Sequence, residues 1–157
     1  MNKTIPAADL PSLAGAELEP SSWLKISQER VDRFADATND HQFIHVDTER
    51  AAQTPFGGTI AHGYLTLSLL PYLTAETTPL PEGLQMAINY GSDRVRFVQA
   101  VRVGQRVRAR QKVLDVVEKN PGQWQIRTRV SVDIEGQERP ALIADVLALY
   151  VTAPAGD

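Results

Sequence analysis

Trp124, Ile126, Thr128, Val130, Val132 and Ile134 occupy alternate positions, and Gln125, Arg127, Arg129, Ser131 and Asp133 fill the places between them. A period of two puts the first set on one face of a β-strand and the second on the other, the pattern of an antiparallel strand with one wet face. Shorter alternations flank it. Met86, Ile88 and Tyr90 alternate, and so do Val95 and Phe97 against Arg94 and Arg96. Val107, Ala109, Gln111 and Val113 continue a strand toward Val117, and the run from Leu142 to Val151 is apolar enough to be central in a sheet. Turn signals separate these runs at Val103-Gly104, Asn120-Pro121-Gly122 and Glu135-Gly136-Gln137.

The period changes in the N-terminal half. Val31, Phe34, Ala35 and Thr38 follow the i, i+3, i+4, i+7 spacing of a helix face. Ser27 reads as its N-cap, with Arg30 where a capping box would place Glu, and Asn39-Asp40 end it. A helical turn over Thr48 to Gln53, capped by Asp47 or Thr48, is broken by Pro55, Gly57 and Gly58. A further helix is expected from Thr59 onward. Ile60, Ala61, Tyr64, Leu65, Leu67, Leu69, Leu70 and Leu73 make it apolar on nearly every side, so it is expected to be buried, with Pro71 kinking or ending it. The stretch from Thr77 to Gly83 holds Pro79 and Pro81 and reads as a loop. The first twenty or so residues read as an irregular arm with a short strand near Glu17-Leu18, and Trp23 to Ile26 reads as a strand end. Helices first and long antiparallel strands afterwards is an α+β order, one buried helix wrapped by a sheet, in a single domain over 1–157.

Composition narrows the function classes. With 157 residues, 43% hydrophobic and 22% charged, the chain has the make-up of one soluble domain. A net charge of -3 argues against a nucleic-acid partner. There is no cysteine, hence no disulfide, thiolate zinc site or cysteine nucleophile, and a reducing cytoplasm is the expected compartment. Met1 to Pro6 contain no signal-peptide core, and the apolar run from Ile60 to Leu73 is too short and too polar to span a bilayer.

All three histidines fall between Thr38 and Thr74, the stretch around which the chain is organised. Asp40 and His45 are five residues apart, a spacing that diverges on a helix and alternates on a strand. On spacing alone the plainer reading makes Asp40 a helix-end residue and His45 a packed histidine. The sharper reading has a carboxylate and an imidazole converge from an irregular loop on one water molecule, for acid–base chemistry near neutral pH. The run Gly57-Gly58-Thr59-Ile60-Ala61-His62-Gly63 places glycines ahead of a helix, where free N–H groups can meet an oxyanion; close packing at Gly63 is the alternative, and both stand. His62 reads first as a packed histidine bonded to a backbone carbonyl. His41, His45 and His62 with Asp40 and Asp47 fit no zinc spacing, so no metal is expected. The arginines at 94, 96, 102, 106, 108 and 110 read as a solvated strand face, of which a few could meet ligand phosphates.

Phe34 to Asp47, with Thr38-Asn39-Asp40-His41-Gln42-Phe43-Ile44-His45, followed by Pro55 to Gly63, resembles the MaoC-like dehydratases, the family of (R)-specific enoyl-CoA hydratases. Ile88-Asn89-Tyr90-Gly91 through Phe97, and Val103-Gly104, are similar too, so the resemblance spans roughly residues 25–150. It implies a hot-dog fold, usually dimeric, acting without cofactor or metal on an acyl-CoA or acyl-carrier-protein thioester. It implies Asp40 and His45 as the catalytic dyad and the Gly63 N–H as oxyanion donor. Gln42, His62, Asn89, Tyr90 and Gly91 are then expected to bind substrate. Many members read Asp-x-Asn-Pro-x-His; here Gln42 and Phe43 stand in the third and fourth places, as in the nodulation-protein-N-like subgroup. The rival expectations are a thioesterase on the same fold and a non-catalytic acyl-binding or assembly protein.

Overall fold

The computed structural model describes residues 3–153. A six-stranded antiparallel sheet dominates it. Its long strands are β5 (Leu84–Phe97), β6 (Arg106–Asn120), β7 (Gln123–Ile134) and β8 (Leu142–Thr152), and the short strands β2 (Glu17–Leu18) and β3 (Leu24–Lys25) both pair with β6. The order is β2-β6-β7-β8-β5. The β6–β7 hairpin runs from Val107 opposite Ile134 to Asn120 opposite Gln123, turning at Pro121-Gly122 where Gly122 takes a left-handed φ of 73°. The alternation in β7 is realised as expected: Trp124, Ile126, Val130, Val132 and Ile134 are buried.

Helix α1 (Gln28–Thr38) is capped by Ser27, whose side chain accepts from the Arg30 amide, and ends at Asn39 in the left-handed region (φ 58°). Asn takes that conformation at little cost because its side chain can bond locally. A single helical turn, α2 (Phe43–Val46), precedes α3 (Thr48–Ala52), and Asp47 caps α3 by accepting from the Arg50 amide.

The helix expected from Thr59 starts four residues later. Residues 60 and 61 are extended because their amides are claimed from elsewhere: Ile60 N–H by Ile44, Ala61 N–H by Val101. Ile60 forms a β-bridge with Arg102. The helical run is α4 (Gly63–Ser68) then α5 (Leu70–Ala75), broken where Pro71, in the first turn of α5, has no N–H to donate back. Nor is the run buried on every side. Leu65, Leu69, Leu70 and Leu73 pack against Val107, Ala109, Val130, Val132, Leu142 and Ala144 of the sheet, whereas Tyr64 and Tyr72 are 68% and 66% exposed. Each buried leucine contributes about 1.5–3 kcal/mol. The result is the α+β hot-dog arrangement, a helix cradled by an antiparallel sheet.

The N-terminal arm is more ordered than its composition suggested. A 3-10 helix over Ala7–Leu13 drives Leu10 fully into a second core with Val113, Val116, Trp124, Ile126 and Tyr150. Strand β1 (Thr4–Ile5) runs parallel to β4 (Leu80–Pro81), inside the stretch expected to be only a loop. Prolines in a two-residue edge strand lose no needed hydrogen bond, which is why the composition misled.

Strand β5 lies at the sheet edge and is exposed over almost its whole length, including Met86, Ile88, Tyr90 and Phe97. Register shifts interrupt its pairing with β8 between Asn89 and Gly91 and between Asp93 and Arg96, where Arg94 adopts a φ of 53°.

Candidate active site

The turn that follows α1 brings Asp40 and His45 together, although their spacing suits neither a helix nor a strand. Asn39 turns the chain out of α1, Asp40 to Gln42 are irregular, and α2 rises to present His45. One ligand-type atom each of Asp40, His45 and His62 lie within 4.8 Å of one another. The Asp40 side chain is 54% exposed, while His45 is 7% exposed.

His45 is held by its own ring. Nδ1–H donates to the Ile60 carbonyl at 2.7 Å, which leaves Nε2 as the nitrogen with a lone pair to offer. Burial is the main cause that lowers the His45 pKa below the usual histidine value of 6.5; the Ile60 bond and Asp40 oppose this and His62 reinforces it. The ring therefore stays neutral at neutral pH.

His62 lies behind His45. It is 2% exposed, its Nε2–H donates to the Asp40 carbonyl at 2.9 Å, and its ring stacks on His45 and tilts against Phe34. The backbone carbonyl expected as its partner is thus that of Asp40 itself. So deeply placed, His62 has no surface to offer a substrate, and any part in binding passes through its two neighbours.

Gly63 opens α4, and the first amides of a helix have no partner within it. It lines a cavity of about 350 Å³ together with His45, Phe56, Thr66 and Phe97. The neighbouring Gly57 and Gly58 do not sit at a helix N-terminus, since the helix begins further on. Instead Arg102 covers them, donating to the Gly57 carbonyl at 2.8 Å. Other arginines of the basic stretch are likewise engaged: Arg106 with Glu135, and Arg108 and Arg110 with Asp133.

Gln42 enters the site through its backbone. Its carbonyl accepts from the His45 amide at 2.9 Å and its own amide points to Asp40 Oδ1 at 3.4 Å. Asn89, Tyr90 and Gly91 line a neighbouring groove against Leu67, Ser68 and Pro71 and are not part of the His45 cavity.

Sequence reasoning missed Gln28. From the first turn of α1 its Nε2 donates to the His45 carbonyl at 2.7 Å and to Asp32 at 2.8 Å, while its Oε1 accepts from the buried Thr59 hydroxyl at 2.6 Å. This ties α1, the His45 turn and the strand-like segment before α4 into one unit. No local pattern signals it, because the partners are far apart in the chain.

The two-histidine, one-carboxylate cluster is not shaped to close around a cation. The His62 nitrogen next to the Asp40 carboxylate, Nε2, is spent as a donor to the Asp40 carbonyl, and its Nδ1 is buried, so His62 offers no lone pair there to complete a ligand set. The geometry is instead that of a fixed neutral imidazole beside an accessible carboxylate, a pair able to hold and deprotonate water.

The family profile described as a MaoC like domain matches residues 9–135. The chain is 47% identical over 144 residues to 3-hydroxyacyl-thioester dehydratase Z of Mycobacterium tuberculosis, covering 92% of this chain and 95% of that protein. It is also 47% identical over 148 residues to nodulation protein N of Rhizobium leguminosarum bv. viciae, covering 94% and 92%. Among solved structures, an unliganded (R)-hydratase from Pseudomonas aeruginosa superposes with a TM-score of 0.70 at 24% identity, over 97% of this chain and 87% of that one. Among the described residues no helix is long and apolar enough to cross a membrane.

Proposed function

The chain belongs to the MaoC-like dehydratase family, and on that premise we propose that it adds water reversibly across the 2,3 double bond of a trans-2-enoyl thioester, giving the (R)-3-hydroxyacyl thioester. The observation that carries this reading is the meeting of the Asp40 carboxylate with a His45 whose Nδ1 is committed to Ile60.

A water held between the Asp40 carboxylate and His45 Nε2 loses a proton to Asp40 as its oxygen bonds to C3 of the substrate. The electron pair of the double bond moves toward the thioester, and negative charge develops on the carbonyl oxygen. The Gly63 N–H donates to that oxygen and stabilises the enolate. The proton then passes from the dyad, with His45 assisting, to C2. Two hydrogens and one oxygen have been added, and the dyad returns to its starting state. Because the two groups act on one water, they titrate as a coupled unit. The thioester itself acidifies the α-carbon, so the step requires no cofactor or metal. Gln42 orients the turn that carries both groups, and Asn89, Tyr90 and Gly91 contact the acyl thioester in their groove.

The work is done by a two-fold dimer in this reading. The exposed 14-residue edge strand β5, which carries Met86, Ile88, Tyr90 and Phe97 at the surface, is one that a second copy would cover by pairing edge to edge.

The test is to follow loss of enoyl-thioester absorbance with CoA substrates of several chain lengths and to resolve the product enantiomers. Hydration to the (R)-alcohol is expected. Release of free thiol without hydration would assign a thioesterase, and binding without turnover would assign a non-catalytic acyl-binding protein.

A further inference from the structure

His62 is the one histidine of the site that the proposed reaction leaves without a task. It is also costly to the fold. With Nε2–H given to the Asp40 carbonyl, Nδ1 is left as a buried polar atom that has no partner among the described residues. A phenylalanine would fill the same apolar slot between Phe34 and His45 with no orphaned atom. What the imidazole supplies and a phenyl ring lacks is the Nε2–H.

That bond reaches a specific place. The Asp40 carbonyl belongs to the first irregular residue after α1, so the bond pins the main chain from which the carboxylate hangs. The other face of the same ring lies flat on His45, with centroids 3.8 Å apart. One side chain thus touches both members of the pair. Gln28 and Ile60 fix His45 from its backbone and from Nδ1, but neither bonds Asp40. Gln42 links the two through its backbone, with a 2.9 Å bond from the His45 amide and a long 3.4 Å contact to Asp40 Oδ1, and His62 is the side chain that joins the Asp40 main chain to the plane of the His45 ring.

We propose that His62 is the positioning residue of the Asp40/His45 pair: it anchors the Asp40 main chain through Nε2–H and fixes the plane of the His45 ring by stacking. The proposal rests on the hydratase reading for its kinetic test, though not for its structural one. The charged and titratable groups around the stack are few. Asp40 is the carboxylate that faces it, with Oδ2 3.9 Å from His62 Nε2. On α1, Asp36 pairs with His41, Asp32 with Gln28, and Glu29 with Arg33. Neither α2, apart from His45, nor α4 carries a charged side chain. His62 and Asp40 therefore act on His45 in opposite directions, and removal of His62 leaves the Ile60 hydrogen bond and Asp40 opposed by burial alone.

Two variants separate the two contacts. His62→Phe keeps an aromatic ring against His45 but has no donor for Asp40. His62→Gln keeps an amide N–H that can reach the Asp40 carbonyl but has no ring. For each, kcat and KM are measured per folded molecule, and the His45 ring is titrated by NMR; the chain has only three histidines, which makes assignment direct. His62→Phe is expected to lower kcat by at least ~10-fold with KM changed by less than about 3-fold, since the acid–base pair and not the binding surface is disturbed. The His45 midpoint is expected to rise in both variants, because the His62 ring that disfavours its charged form is gone. His62→Gln is expected to recover part of the lost kcat while leaving the His45 midpoint raised. Wild-type kcat and an unmoved His45 midpoint in both would overturn the proposal and reduce His62 to a core filler. If His62→Phe does not fold, the same two readings on His62→Gln decide. If the unmutated protein hydrates no enoyl thioester, the hydratase reading falls, and the His45 midpoint still decides the positioning role.

Discussion

Phe97 lies across Gly63 so closely that a β-carbon at position 63 would stand 2.9 Å from its ring. The contact is with the near atoms of the ring, which cannot swing aside as a flexible chain end would. Sequence reading left two roles open for this glycine, a ligand-facing amide and close packing. The packing role now has a named partner from the edge strand, and Gly63 also lines the cavity shared with His45.

Gly63→Ala is therefore expected to destabilise the fold. The helix-propensity gain of up to ~1 kcal/mol is smaller than the ~1–3 kcal/mol typical of overpacking. Adding Phe97→Leu should restore most of the melting temperature. If the Gly63 amide also serves the thioester oxygen, kcat/KM of the double variant stays at least ~10-fold down. Full recovery of both quantities would assign Gly63 to packing alone.

Asp145 supports the sheet at a place remote from the dyad. Its carboxylate is 1% exposed and accepts from Arg129 at 2.8 and 3.1 Å and from Arg127 at 3.3 Å. The hydrogen bonds from Arg129 are the main cause that holds its pKa below the usual carboxylate value. A depressed folded pKa means stability that is present above the unfolded value of about 4 and is lost as pH falls through the folded one. Asp145→Asn should cost about 1–3 kcal/mol at neutral pH, a charge-assisted network broken beside half-exposed arginines. Urea denaturation across pH should show that difference shrinking below about pH 4. A pH-independent difference would contradict this account.

The exposed strand β5 sets the expectation for assembly. Light scattering at micromolar concentration should give a mass near twice 17.3 kDa. Charges placed on its apolar residues, as in Ile88→Lys with Met86→Lys, should shift the protein toward monomer. A monomeric unmutated protein would remove the edge-to-edge dimer.

Much of this architecture was legible because it is local. The alternation of Trp124 to Ile134 depends on neighbours two apart, and the Ser27 and Asp47 caps on residues three apart. Where remote partners decide, the reading failed. Ile60 and Ala61 have helical company in sequence, but Ile44 and Val101 take their amides and hold them extended. Leu10 looks like part of an irregular arm until β6 and β7 supply its core. The Asp40–His45 meeting was legible through family resemblance, since their spacing alone argues divergence. The stack of His45 on His62 and the Gln28–Thr59 bond are products of the fold and carry no local pattern.

The central claim is that Asp40 and His45 together activate water for addition to an enoyl thioester. Asp40→Asn and His45→Gln preserve size and keep a polar group at each position while removing the base or the ring. Asp40 is half-exposed, so its exchange should leave the melting temperature nearly unchanged; His45→Gln gives up the Ile60 bond and should lower it modestly. The decisive measurement is the rate of enoyl-thioester absorbance loss for the unmutated protein and both variants, at saturating substrate and normalised to folded protein. The account predicts at least a ~10²-fold fall in kcat for each. Near-unmutated hydration by either variant would contradict it.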